Sequence, residues 1–154
     1  MVRLTAIVAF SSSFAGALAA PSTSPVPGNQ DSFENTCTRW KIYQQDGGVW
    51  IAGYCRDGDG QLWHSVLNLD HCIANDSGQL TGRAEGGFSS SCSDLQLESD
   101  TSLNAQCAGG DGSRGSIKLS DIISNDNGEL YCFGIRGCAM DATGCNDKPS
   151  GIWD

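Results

Sequence analysis

Eight cysteines and two histidines are the most reactive side chains in this 154-residue chain. Neither His64 nor His71 lies in an H-E-x-x-H pattern, and the chain holds no G-x-S-x-G and no paired C-x-x-C. His71 beside Cys72 could pair a thiol with an imidazole, but in an oxidising compartment a disulfide or packed thiol is the simpler reading. Asp57-Gly58-Asp59-Gly60 is calcium-like in miniature. A calcium loop in that frame would begin at Cys55 instead of Asp, and no Glu follows at the required distance. No metal and no cofactor are therefore expected. Asp57 and Glu129 could serve as the acid and base of a small secreted glycan hydrolase, although nothing in the sequence matches them as a pair. Asn75-Asp76-Ser77 is an N-glycosylation sequon, which makes Asn75 a modification candidate.

The start of the chain sets the expected compartment. Met1-Val2-Arg3 is positive, Leu4 to Phe14 is apolar and small, and Ala17-Leu18-Ala19 is an A-x-A cleavage signal. The apolar stretch is too short to span a bilayer and is broken by Ser11-Ser12-Ser13. The expectation is a signal peptide over 1–19, a secreted protein, and no membrane contact after cleavage. Losing Arg3 leaves 8 positive against 18 negative residues, a net charge of −10. So acidic a chain is a poor partner for nucleic acid or an anionic membrane. Residues 20–32 carry three prolines and no apolar period, and read as a flexible leader.

An internal repeat governs the remainder of the chain. Phe33-Glu34-Asn35-Thr36-Cys37 matches Phe88-Ser89-Ser90-Ser91-Cys92, and a second cysteine follows each, Cys55 and Cys107. Leu69 to Leu80 then matches Leu119 to Leu130, with six of twelve positions identical, including Asn75-Asp76 and Asn125-Asp126. The repeats run 33–82 and 88–131, and 132–154 forms a cysteine-rich extension. Ser65 to Leu69 and Gly115 to Leu119 partly alternate apolar and polar residues, as half-buried strands do. Trp40 to Tyr43 and Trp50 to Tyr54 are aromatic and branched, with weaker counterparts at Leu95 to Leu97 and Leu103 to Ala105. Gln45 to Gly48 and Glu98 to Asp100 suit hairpin turns. Leu69 to Ile73 and Leu119 to Ile123 could each be one helical turn, and no stretch has a sustained helical period. Trp40, Tyr43, Trp50, Tyr54 and Trp63 are expected to form the core of the first repeat, and one of them could line a ligand surface. Disulfides Cys37–Cys55 and Cys92–Cys107 across the two hairpins are the economical pairing. Cys72, Cys132, Cys138 and Cys145 allow three pairings, with a staple from Cys72 to the tail favoured.

The paired Phe-x3-Cys, the second cysteine after a hairpin and the Leu-x3-Ile-x-Asn-x-x-Gly-x-Leu ending resemble the cyanovirin-N homology family, over Phe33 to Tyr131. The Asn-Asp-Ser-Gly and Asn-Asp-Asn-Gly forms look like its fungal members. The resemblance implies an all-β fold of two pseudo-symmetric halves, each a triple-stranded sheet plus a hairpin, intertwined so that each half takes strands from both repeats. It implies a monomer or a domain-swapped dimer. It also implies a metal-free, non-catalytic lectin for mannose-type oligosaccharides with Man(α1-2)Man ends, displayed on glycans or glycoproteins.

Carried over by position, the terminal half would bind through Ser32, Asn35, Thr36, Arg56, Asp57, Gly58, Asn125, Asp126 and Asn127. The middle half would use Asn75, Asp76, Ser77, Ser90, Ser91, Gly109, Gly110 and Arg114, near Ala74, Gly86, Gly87 and Ala108. The second set has lost side chains, so the terminal half is expected to be the stronger site. Adjacent sugar hydroxyls call for short amide, carboxylate and backbone groups on rigid turns. Asn75 and Asn125, ahead of Gly in a turn, are expected to shape the backbone whether or not they touch ligand. The alternatives are a non-lectin extracellular interaction module on the same fold, or the hydrolase above.

Overall fold

The computed structural model describes residues 31–139. The signal peptide, residues 20–30 of the leader, Cys145 and the rest of 140–154 lie outside the described residues. The chain opens with β1 (Asp31–Ser32) and a single helical turn, Phe33–Thr36. The first repeat continues with β2 (Cys37–Gln45), β3 (Gly48–Arg56), β4 (Leu62–Asn68), β5 (Ile73–Asp76) and β6 (Gln79–Gly82). The second supplies β7 (Cys92–Leu97), β8 (Ser102–Cys107), β9 (Arg114–Lys118), β10 (Ser124–Asp126) and β11 (Glu129–Cys132). Two short strands follow, β12 (Ile135–Arg136) and β13 (Cys138–Ala139). Single 3-10 turns at Leu69–His71 and Leu119–Asp121 take the places where one helical turn was expected.

All strand pairs are antiparallel. One sheet runs β13-β4-β3-β2 and another β7-β8-β9, with β5-β6 as a hairpin and β1-β10-β11-β12 as the remaining ribbon. The hairpin β10-β11 packs on β4 of the first repeat, while β5-β6 packs on β9 of the second. Each half is therefore built from both repeats, as the resemblance implied.

The repeats match down to backbone detail. Arg39 and Asp94 have φ of 54° and 51°, each inside a bulge of the first strand of its hairpin. Asp46-Gly47, Ser77-Gly78 and Asn127-Gly128 all have positive φ at both turn residues, the geometry that suits the twist of two-residue hairpins. Disulfides join Cys37 to Cys55 and Cys92 to Cys107 across the paired strands, where each pair is in direct register. Cys72 joins Cys132, the staple to the tail, and Cys138 is also disulfide-bonded.

The core differs from expectation. Phe33 and Phe88, the first residues of the two repeat motifs, are fully buried together with Ile51, Leu67, Leu69, Ile73, Leu103, Leu119, Ile123 and Leu130. The aromatic cluster of the first repeat does not form this core. Side chains alternate along a strand, so the frame that sends Ile51 and Cys55 inward sends Trp50 and Tyr54 to the other face of the sheet. Trp50 joins a separate cluster there with Ala52, Val66 and Tyr43. Tyr54 is 38% exposed and stacks on His64, its partner across the strands. Trp40 packs edge-on against Phe33 at the rim of the core. No helix among the described residues is long and apolar enough to cross a membrane.

Candidate functional site

The Asn-Asp-x-Gly turns are held by the same hydrogen bonds in both halves. In the terminal half, Asn125 Oδ1 accepts from Gly128 N at 2.8 Å, while its Nδ2 donates to the carbonyl of Arg56 at 2.7 Å. In the middle half, Asn75 Oδ1 accepts from Gly78 N at 2.8 Å, and its Nδ2 donates to the Ala108 carbonyl and Ser91 Oγ, both at 2.9 Å. Each asparagine thus fixes its own turn and ties it to the loop after the second cysteine of the partner hairpin. Asn125 is only 5% exposed, so its amide is a structural clamp behind the turn.

Beyond those clamps the halves diverge. Around Asn125 lies a cleft of about 300 Å³ lined by Asp31, Thr36, Arg56, Asp57, Gly58, Asn125, Asp126 and Asn127. Asp31 comes from β1, which pairs with β10 so that Asp31 faces Asn125 in register. Gly58 N donates to Asn127 Oδ1 at 2.8 Å, so the Asn127 side chain stands between the loop and the turn. Asp57 organises the loop: its Oδ1 accepts from Asp59 N and Gln61 N at 3.0 and 2.8 Å, and its Oδ2 accepts from Trp63 Nε1 at 2.7 Å. These donors, the indole first, hold the Asp57 carboxyl below its ordinary value near 3.8. The Trp63 ring also underlies Gly128, where an added Cβ would come within 2.8 Å of Trp63 Cδ1. Arg56 donates from Nη1 to the Gly60 carbonyl at 3.1 Å, and Asp126 forms an ion pair with Arg136.

In the middle half the positions of Asp31, Arg56, Asp57 and Asn127 are taken by Gly86, Ala108, Gly109 and Ser77, and that of Trp63 by Ser113. The space those side chains keep open is closed by backbone. A Cβ on Gly78 would lie 2.4 Å from Gly110 Cα, and one on Gly115 would lie 2.6 Å from the Gly78 carbonyl. The loop has settled directly onto the turn. Gly86 is pressed on the Ile73 carbonyl, and Gly87 bridges the fully buried Ala74. Thr81 and Arg83 bind Asp76, Thr81 Oγ1 at 2.7 Å and Arg83 Nη1 at 3.1 Å, and together they hold its carboxyl below the usual range.

Of the residues expected at the terminal site, Thr36, Arg56, Asp57, Gly58, Asn125, Asp126 and Asn127 line one cleft. Ser32 and Asn35 do not line it. Ser32 Oγ donates to the Ser120 carbonyl at 3.3 Å, and Asn35 lies exposed on the helical turn. Asp31 was not foreseen because it belonged to the leader, where only the β1–β10 pairing reveals its place. Trp63 was assigned to the core instead of the floor of the site. In the middle half Ser91 is bound to Asn75, Ser90 Oγ donates to the Gly87 carbonyl at 2.8 Å, and Arg114 is turned onto Asp94 of β7, away from the Asn75 turn. Both Nδ2 hydrogens of Asn75 have acceptors, so a glycan on that nitrogen would displace one of them. Among the described residues no three His, Cys, Asp or Glu side chains are placed to hold a metal ion.

This doubled, cystine-clipped arrangement is matched by the family model of the CVNH domain over residues 33–131. The chain belongs to that family. Among solved structures, the CVNH protein of Gibberella zeae is 31% identical, covering 66% of this chain and 96% of its own, with a TM-score of 0.54. Microvirin, solved as a mannobiose complex, is 25% identical over 67% of this chain and 99% of its own, with a TM-score of 0.51. A MoCVNH3 variant, solved with (N-GlcNAc)4, shares the fold at a TM-score of 0.58 and 22% identity, covering 69% of this chain and 100% of its own. No curated protein matches the chain.

Proposed function

We propose that this CVNH chain is a secreted lectin whose terminal-half cleft binds mannose-type oligosaccharides through their Man(α1-2)Man ends, without catalysis. The observation that carries the reading is the cleft itself. It lies at the residues the family resemblance nominates, and the side chains of Thr36, Arg56, Asp57, Asn125 and Asn127 are held by hydrogen bonds to backbone. A sugar hydroxyl can donate to the carboxylates of Asp31, Asp57 and Asp126 and accept from Arg56 or from Asn127 Nδ2. Groups already fixed on turns lose little freedom on binding. The microvirin–mannobiose complex supports the mannose class. The disulfides suit an oxidising compartment, in keeping with secretion. Glycoside hydrolysis needs a carboxylic acid that holds its proton, whereas the hydrogen-bond donors around Asp57 push it towards the ionised form.

Titration of the labelled protein with Man(α1-2)Man, and separately with (GlcNAc)4, tests this by NMR. The expected result is saturable shifts at residues 56–58 and 125–127 with the mannoside, none at 75–77 or 109–110, and no cleaved sugar. Shifts with (GlcNAc)4 alone, or with neither sugar, overturn the mannose assignment.

A further inference from the structure

The outer face of the sheet β13-β4-β3-β2 is closed off from water at Ala52 and Val66, although Tyr54 further along the same face stays 38% exposed. Ala52 and Val66 face away from the core, beside Trp50, yet they are only 2% and 1% exposed. The only described hydrophobic residue packed on this trio is Tyr43. A solvated face of an antiparallel sheet would leave an alanine and a valine open to water between the flanking strands.

The chain itself leads onto this face. β13 adds to β4 with Cys138 opposite Val66 and Ala139 opposite Ser65. Residues directly opposite each other project from the same side of a sheet, so Cys138 stands on the outer face with Val66. Gly137 lets the strand approach: its N donates to the Leu130 carbonyl at 2.6 Å, and a Cβ there would sit 2.6 Å from the Val66 carbonyl. Cys138 is disulfide-bonded, and three further disulfides occupy Cys37, Cys55, Cys72, Cys92, Cys107 and Cys132. Of the eight cysteines only Cys145 remains.

We propose that the segment 140–154 straps the outer face of this sheet, tied by a Cys138–Cys145 disulfide and laying Ile152 and Trp153 over Ala52 and Val66. The reach suffices. Eight residues separate Cys145 from Trp153, up to about 26 Å when extended, while β4 and β2 are two strand spacings, roughly 10 Å, apart. The chemistry suits it as well, since Ile152-Trp153 is the one adjacent pair of large apolar residues after Cys145. The leader fits worse. Residues 21–30 hold a single branched apolar residue, Val26, and lead into β1 on the other ribbon. Arg56 lies at the far end of β3 from Trp50, so the strap leaves the cleft open. Sugar binding and the strap are independent of each other.

The test uses the full oxidised chain. Peptide mapping without reductant should show Cys138 linked to Cys145, and NMR should show contacts from the Trp153 ring to the Ala52 and Val66 methyls. A soluble paramagnetic probe should leave those methyls unbleached in the parent and relax them at least threefold faster in Trp153→Ser. A chain ending at Ala139 with Cys138→Ser should behave the same way; the point variant decides the matter should the truncation not fold. Contacts from residues 20–30 instead, contacts between copies in an isotope-mixed sample, or methyls already open to the probe would each overturn the proposal.

Discussion

Asn125 and Asn127 are two residues apart in one turn, and the structure gives them opposite jobs. Asn125→Ala removes the bonds to Gly128 N and to the Arg56 carbonyl at a site 5% exposed. Two backbone groups then lose their partners where water has little access. Each such loss costs about 1–3 kcal/mol, so the pair should cost about 2–6 kcal/mol. For a domain near 100 residues, each kcal/mol lowers Tm by about 4–8 °C, so a fall of about 10 °C or more is expected. Asn127→Ala removes one exposed bond to Gly58 N and puts an alanine at a φ of 54°, so it should lower Tm by about 4–8 °C, less than Asn125→Ala. It should nonetheless weaken mannoside binding about tenfold, since a lost hydrogen bond of about 1.4 kcal/mol is tenfold in Kd. Calorimetric melting and titration of both variants measure the split. If Asn125→Ala melts like the parent, or Asn127→Ala is the one that unfolds, the division of labour within the turn is wrong.

Trp63→Ala should free the Asp57 loop: its carboxyl should titrate closer to the ordinary value near 3.8, seen by carbonyl NMR, and affinity should fall at least tenfold. Because Asp57 has its carboxyl lowered in the folded state, its contribution is complete above the unfolded value and disappears only as pH falls through the lowered one. Its loop should therefore stay ordered from about pH 8 to pH 5, and binding measured over that range should be flat on its account. The Cys72–Cys132 bridge closes 60 residues, for which loop entropy gives about 4 kcal/mol; Cys72→Ser with Cys132→Ser should lower Tm by about 15 °C or more, whereas a shift below 5 °C would deny it that weight. Asn75 should be recovered unmodified when the protein is expressed through a eukaryotic secretory pathway, and a glycan mass on its peptide would show that the clamp to Ala108 can open.

The repeat made most of the scaffold legible. Two Phe-x3-Cys motifs placed the buried phenylalanines and the hairpin cystines, and two Asn-Asp-x-Gly stretches placed the turns, because each is a local demand of backbone or packing. What sequence left unread depends on contacts between distant segments. Asp31 enters the cleft only because β1 adds to β10, nearly a hundred residues later. Trp63 looked like core and does project from the face that carries Cys55, its partner in register, but it stands at the end of the sheet, where it meets Asp57 and Gly128 instead of the buried cluster. Ser32 and Asn35 were placed correctly along the chain but face Ser120 and solvent, a matter of side-chain direction on one short helical turn.

The two halves show how one backbone plan yields unequal sites. Both keep the asparagine clamp, since the turn cannot close without an acceptor for the glycine N–H. Above that clamp, the open space follows from bulk beneath the turn. Trp63 holds Gly128 up and pins Asp57, and Asn127 spaces the loop from the turn, so a cleft remains. Ser113 brings no ring beneath the turn of the middle half, and Gly109-Gly110 lie against Ser77-Gly78 with the backbones touching. Restoring side chains to the surface of the middle half alone, such as Gly109→Asp, would place a carboxylate on a loop with no indole to anchor it and no open space beside it. Such a variant should stay silent towards mannosides in the NMR titration. Binding gained from that single change would mean that lining residues, and not the support below them, decide which half is active.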